Sequence, residues 1–502
     1  MYNNYETTGY TLENASKTSK DILSKHLIAT ELKRNVDQFI KIAVVGIGQA
    51  GGRIADEFAA YGVPTVVFNS SESDMKSLEY VHKKVFTPAM DADNYVIEGF
   101  QGAAKQRNLG KVFFEENRGQ YVKHLNTEAF QDAQFVWICA SLGGGTGSGA
   151  VIQTAELVLK IRAKYRYENY GKRIANSVGL IVVIPDEAGI EFKKNTVEAV
   201  AEINRLLYES GEDSIGSVLY VDNDHFNHSN AFADYSKNID DKTDASKLSN
   251  AYVATLLMEL NSLTALESNS TLDFNEFVTI LGTPGHLYLQ RSLQNNEFAN
   301  ELRDLVSMKD IASQANLQSI SKKYAEEFVK IEGILNNNDP FINEKQRLGK
   351  SLMLGVLYPK DITENEIRKY VEELKAILPH STAHVALSQI SNNAQTGITT
   401  FAAYVTSDLP SRLNTILQDY EAEVEIANAR EQERLAAIEA QKSKFANFAS
   451  SSDNNFNFKP DITTDFSDLE LEVNEGPRRR PSGSRPERPG RRRITDIELD
   501  NL

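Results

Sequence analysis

The heptapeptide Gly143-Gly144-Gly145-Thr146-Gly147-Ser148-Gly149 lies between an apolar run, Phe135 to Ala140, and a helix-like segment from Ala150 to Lys164. Its five glycines let backbone N–H groups converge on an anion without side-chain obstruction, and a helix start adds its positive dipole end. Phosphate suits such a loop; a loose surface turn rarely sits between an apolar strand and a long helix. A second glycine run, Gly46-Ile47-Gly48-Gln49-Ala50-Gly51, also follows a strand-like stretch. It matches G-x-G-x-x-G, which keeps a dinucleotide-binding oxidoreductase among the readings. Against that reading, Phe68-Asn69-Ser70-Ser71 places no acid where such a domain binds the adenosine ribose. Neither run ends in G-K-[ST], so neither is a P-loop and no lysine is supplied to the phosphates. Two glycine loops from one sheet predict a polyphosphate gripped mostly by backbone dipoles. Two acids, Asp273 and Glu276, stand three apart after a long helical pattern. Alone, such acids are usually just solvated, although a pair can position a water molecule and a magnesium shell.

The elements that must carry these residues follow from hydrophobic periodicity. Strand-like Ile40 to Val45, a glycine turn, a helix from about Arg53 to Tyr61 and a strand from Thr65 to Phe68 make a βαβ beginning. Strands at Phe135 to Ala140, Val178 to Ile184 and Ser217 to Val221 alternate with helical stretches near 105 to 126, 150 to 165 and 192 to 209. The fold class is therefore α/β, a doubly wound parallel sheet over residues 40 to 244. A long central helix and the acidic segment fill 245 to 277. A smaller α+β domain covers 278 to 408, with strands at Leu352 to Tyr358, His384 to Ile390 and Thr399 to Val405 and a helix from about Glu364 to Ile377. An N-terminal helix is expected at 19 to 39, after a polar, disordered stretch over 1 to 18. Residues 409 to 446 predict a long helix that is exposed or packed on the surface, because from Ser411 to about Ala446 they are rich in Ala, Glu and Leu and hold no Gly or Pro.

Composition sets the outer limits. At 502 residues the chain has room for about three domains. Its one cysteine, Cys139, sits in an apolar run, so no disulfide framework exists and a reducing, cytoplasmic setting is expected. No apolar run reaches the roughly 20 residues needed to span a bilayer. A net charge of -16 argues against a body that binds nucleic acid over its whole surface. The segment from 447 to 502 reads as a disordered tail. Within it, 478 to 493 holds eight arginines, and a terminal peptide, ITDIELDNL, follows. Such a tail could touch DNA or an anionic surface directly.

GGGTGSG after an apolar strand resembles the signature of the tubulin/FtsZ superfamily, and GQAGGRI, 48 to 54, resembles its first nucleotide loop. Further segments agree in order. FNSSESDMKSL, 68 to 78, looks like the second loop, and Gly102 to Gly110 like a diverged third. VVIPDEAGIEFKKN, 182 to 195, is similar to the ribose loop, and YVDNDHF, 220 to 226, to the base-side loop. The resemblance implies a GTPase that binds GTP or GDP with Mg2+ carried on the nucleotide, and that assembles with itself. It implies that Gly143, Gly144, Gly145, Thr146, Gly147 and Ser148 hold the phosphates and that Gly48, Gln49, Ala50 and Gly51 flank the diphosphate. Asn69 would lie near the phosphates or ribose, Glu191 and Asn195 near the ribose hydroxyls, and Asn223 and Asn250 at the guanine edge. Thr271-Leu272-Asp273-Phe274-Asn275-Glu276 resembles the catalytic loop, with Thr271 where the family usually has Asn. The family's acids act on the nucleotide of the neighbouring subunit, which implies that role for Asp273 and Glu276. The N-terminal extension and long C-terminal helix resemble the plasmid and phage tubulins of the TubZ and PhuZ types. That likeness implies DNA segregation and a DNA-bound adaptor as partner of the basic tail; a division role of the FtsZ kind is the alternative.

Overall fold

The structure, a computed structural model, describes residues 15–26, 40–91, 93, 95–99, 101–169, 177–186, 189–228, 245–265, 272–307, 313–331, 349–378, 380–390 and 395–451. The expectations for residues 1–14, 27–39, Thr271 and 452–502, the arginine segment among them, lie outside the described residues. The described residues up to Tyr420 form one compact unit and those from Glu421 to Ser451 belong to another.

The first unit is built on a ten-stranded sheet. Its strands are β1 (Ile42–Ile47), β2 (Thr65–Asn69), β3 (Lys83–Phe86), β4 (Phe135–Ser141), β5 (Val178–Ile184), β6 (Ser217–Asp222), β7 (Gly285–Arg291), β8 (Gly349–Pro359), β9 (Thr382–Ile390) and β10 (Thr399–Thr406). The order is β3-β2-β1-β4-β5-β6-β7-β10-β8-β9. From β3 to β7 all pairings are parallel; β10 runs antiparallel between β7 and β8, and β8 pairs β9 in parallel. Consequently every strand except β10 points the same way, and the sheet has one carboxyl end and one amino end.

Strands buried on both faces read as unbroken apolar runs, and β1 shows why. Ile42 and Val44 join one core with the central helix, Ala245–Ser262, and the Gly48–Ala60 helix. Ala43, Val45 and Ile47 join the other, under the Thr146–Asn169 and Ile190–Tyr208 helices. A third core lies around β7, β8 and β10, covered by helices Asn296–Ser307, Ser313–Lys330 and Glu364–Ile377. At the amino terminus the Lys17–His26 helix packs on the central helix. There Ser16 and Ser19 donate to the half-buried Glu57 carboxyl, at 2.5 and 3.1 Å. The Ser411–Ser451 helix starts inside the first unit. Leu413 and Ile416 are buried there, and Arg412 and Asp419 form ion pairs with Asp224 and Lys193, each at 3.7 Å. From Glu421 to Lys444 the helix is almost wholly exposed.

His286 on β7 is buried, with its Nε2 3.4 Å from the Tyr208 hydroxyl. Burial, with the nearby Lys350 charge, pushes its imidazole down to about 3. The unfolded chain takes up that proton near the ordinary imidazole value, so the stability contributed is complete above that value and is lost as pH falls toward about 3. Urea unfolding should show less stability at about pH 5 than at about pH 7, and His286→Phe should narrow the difference.

Candidate active site

At the carboxyl end of the sheet the glycine loops meet. The Gly48–Ala60 helix begins on the residue after β1, earlier than periodicity predicts, because the glycines themselves form its first turn. Gly48 takes a left-handed φ of +68°, and Ile47 supplies no side-chain cap, so the first-turn N–H groups have no capping side chain. A Cβ at Gly48 would sit 3.1 Å from the Gly147 nitrogen, which places the two glycine runs in contact. Gln49 is exposed and Ala50 half-buried, while Gly51 lies against the Cys139 carbonyl of β4.

The Gly143–Gly149 loop is packed on nearly every side. A Cβ on Gly145 would approach Ala103 Cβ to 2.8 Å; one on Gly149 would lie 2.4 Å from the Arg107 carbonyl oxygen and 2.7 Å from Gly110 Cα. Gly144 differs, because a Cβ there meets nothing within 4 Å. One side of the loop is thus open, with backbone on display. Both hydroxyls of the loop are engaged within the protein. Ser148 Oγ donates to the Gly144 carbonyl, and Thr146 Oγ1 shares a 2.7 Å hydrogen bond with Ser70 Oγ. They brace the loop, which leaves backbone N–H groups as its principal anion donors.

Neighbouring segments complete the cradle. Asn69 is buried at the end of β2 and its Oδ1 accepts from the Ser71 N–H at 3.1 Å, an Asx turn that bends the chain toward the loop. The Ser70 carbonyl accepts from Gly102 N–H at 2.8 Å. Beyond it Gly102, Ala104 and Lys105 all have positive φ, at 76°, 46° and 63°. Two non-glycine residues in that region represent stored backbone strain of order 1–3 kcal/mol each. Asn195, buried in the Ile190–Tyr208 helix, ties the pieces together: its Nδ2 donates to the carbonyls of Lys105 (2.8 Å) and Gly143 (3.0 Å). Glu191 is exposed in the first turn of the same helix. Below this, buried Arg107 makes a two-pronged contact with Glu202, at 3.1 and 2.7 Å. Burial alone would raise the Glu202 carboxyl, but hydrogen bonds from Arg107 and Lys111 outweigh it and hold it low.

Further along the same sheet end, Asn223 is half-buried at the start of the Asn223–His228 helix, which packs against the central helix where Asn250 is buried. Sequence reading passed over Asp222. Its buried Oδ1 accepts from the N–H groups of Asp224 (3.1 Å) and His225 (3.3 Å), capping the short helix that presents Asn223. Burial raises the Asp222 carboxyl despite these bonds. An Asp at a strand end before an amphipathic turn is an N-cap signal that could have marked it.

Asp273 and Glu276 stand elsewhere. Asp273 caps the Phe274–Leu281 helix in a reciprocal capping box: its Oδ1 accepts from Glu276 N–H at 2.8 Å, and Glu276 Oε2 accepts from Asp273 N–H at 3.0 Å. That helix leads into the first residue of β7, and Glu276 Oε1 meets His384 near the start of β9. Both are amino ends of strands, so the acids lie at the end of the sheet opposite the glycine loops.

The packing separates two kinds of glycine. Gly149→Ala should lower stability by about 2 kcal/mol or more through overpacking, and Gly144→Ala should stay within about 0.5 kcal/mol of the parent. Of the two, the Gly144 variant should nonetheless be the one that weakens capture of a phosphate-bearing ligand, by equilibrium titration with GTP, because its methyl fills the open side of the cradle.

No family model matches the chain. TubZ of Bacillus cereus is 25% identical over 291 residues, which cover 54% of this chain and 60% of that protein. GDP-form protofilaments of Bacillus thuringiensis serovar israelensis TubZ superpose with a TM-score of 0.55 at 17% identity, over 84% of this chain and 99% of that one. CetZ2 of Haloferax volcanii, a GTPγS-bound protofilament, gives 0.55 at 15%, over 78% and 100%. The chain is thus similar in part of its sequence to TubZ and shares the tubulin/FtsZ fold. The sequence match spans about 60% of the length of the curated TubZ, whereas the tubulin/FtsZ fold runs through the second half of the sheet as well. In this chain that fold carries the loops at one sheet end and the acidic helix at the other.

Proposed function

We propose that the protein is a GTPase that polymerises head to tail, each subunit holding GTP in its glycine cradle while Asp273 and Glu276 of the next subunit complete the site. The observation that carries this reading is the separation itself: loops suited to phosphate and acids suited to water placement occupy opposite ends of one sheet. Stacking a second copy along the sheet direction unites them. Gly48 to Gly51 and Gly143 to Gly149 bind the diphosphate and γ-phosphate through backbone N–H groups, Asn69 and Asn195 set the loops, Glu191 faces the ribose, and Asn223 and Asn250 read the base. Mg2+ carried on the phosphates would supply neutralisation of their charge, and no side chain of this protein is assigned to hold it. The acids place the attacking water in line, since phosphoryl transfer depends on positioning and charge neutralisation. The TubZ and CetZ2 structures of this fold, named as GDP-form and GTPγS-bound protofilaments, support the nucleotide and the polymer.

In the cell such a polymer would move or position plasmid or phage DNA. The arginine segment at 478 to 493 would engage a DNA-bound adaptor, or DNA or an anionic surface directly. Light scattering with GTP, GDP and GTPγS tests the core of the proposal. Assembly with GTP and persistence with GTPγS are expected. Indifference to nucleotide, or tight NAD binding in its place, overturns it.

A further inference from the structure

Glu276 is held at both carboxylate oxygens. Oε2 accepts from the Asp273 N–H at 3.0 Å, and Oε1 lies 2.9 Å from Nδ1 of His384, 108 residues further along the chain. A carboxylate oxygen accepts, so the contact suits the imidazole tautomer that donates from Nδ1. The two ties differ in kind. The capping box moves with the helix start, whereas His384 belongs to β9, paired opposite Met353 of β8. Met353 and Ala386, on the same face of the sheet as His384, are buried in the main core, so the imidazole hangs from a fixed strand.

The consequence reaches Asp273. Its Oδ1 is fixed by the Glu276 N–H, and the residue is exposed. An acid set in this way by a clamped neighbour can offer its other oxygen to a water molecule in a constant direction. As a stabilising contact the pair is worth little, since the His384 and Glu276 side chains are 23% and 35% exposed. Its value lies in orientation.

We propose that His384 is a positioning residue for hydrolysis: acting through Glu276, it locks the acidic helix start so that Asp273 meets the neighbouring subunit's nucleotide in one geometry. This rests on the assembly-completed GTPase proposed above.

The test compares the parent with His384→Ala, His384→Asn and Asp273→Ala. It records melting temperature, critical concentration by sedimentation, and GTP turnover per assembled subunit at saturating GTP. His384→Ala should lose roughly tenfold in turnover per assembled subunit, less than the hundredfold that a 1 Å misplacement can cost. Its critical concentration should stay within about twofold of the parent. His384→Asn, whose amide can stand near the Nδ1 position, should recover most of the loss. A purely packing role would move melting and assembly instead and would show no rescue. His384→Ala turning over like the parent, or His384→Asn as slow as His384→Ala, overturns the positioning role. If His384→Ala does not fold, 15N spectra of histidine-labelled parent and Glu276→Gln decide: the His384 imidazole resonances must differ, and identical spectra overturn the proposal. A parent that neither assembles nor hydrolyses GTP overturns the function itself. An inactive Asp273→Ala beside a fully active His384→Ala overturns only the positioning role.

Discussion

Asp273→Ala protein is expected to assemble with GTP as the parent does while its turnover per assembled subunit falls at least about a hundredfold. The nucleotide cradle lies at the other end of the sheet, so the substitution leaves binding intact and filaments should outlast those of the parent. Ala also removes the N-cap of the Phe274–Leu281 helix, whose loss costs about 1 kcal/mol. Asp273→Asn separates the two effects. Asn caps a helix about as well as Asp, so its melting temperature should match the parent, yet it lacks the charge by which Asp273 is proposed to orient water. Phosphate release, measured beside sedimentation, should be as slow for Asn as for Ala. An Asn variant that hydrolyses like the parent would show that Asp273 serves only as a cap.

The second large effect concerns the central helix. Glu259 is fully buried there, and Arg291, at the end of β7, is nearly so, with Nε 3.2 Å from Glu259 Oε2. Arg291 also stacks over Phe401 at 5.1 Å and donates to the Ser292 carbonyl at 2.9 Å. Arg291→Met removes the cation paired with the buried Glu259 carboxylate and should cost about 3–5 kcal/mol, read from urea unfolding. Converting Glu259 to Met as well should recover most of that loss, because a buried pair is often no better than apolar residues of its volume. Since Asn250, proposed to read the base, rides on the same helix, that proposal expects the single variant to weaken GTP binding and the double variant to restore it. A single-variant loss below about 1 kcal/mol would contradict the burial of this pair.

Where burial is two-sided, sequence and structure agree closely. β5 and the Glu364–Ile377 helix carry the bounds expected from periodicity, because an unbroken VGLIVVI and an amphipathic helix with Thr363 as its capping residue are locally unambiguous. β3 and β7 escaped sequence reading. KKVF presents two lysines on an edge strand. GHLYLQR mixes His, Gln and Arg into a buried strand whose polar groups are met by distant partners such as the Phe328 and Ile331 carbonyls. In the site, glycine spacing announced the loops but not their packing. Whether a glycine faces neighbours, as Gly149 does, or open space, as Gly144 does, depends on segments 35 to 45 residues away in the chain. The capping box of Asp273 and Glu276 was legible as acids at spacing three. His384 was not, since nothing local links β9 to a helix start 108 residues earlier.

GTP turnover measured against total protein concentration, with sedimentation at each point, tests most directly whether a neighbour completes the site. If the acids act in trans, turnover is near zero below the critical concentration and then rises in proportion to polymer. A rate proportional to total protein from the lowest concentrations, with no break where filaments appear, would mean that each subunit hydrolyses its own nucleotide.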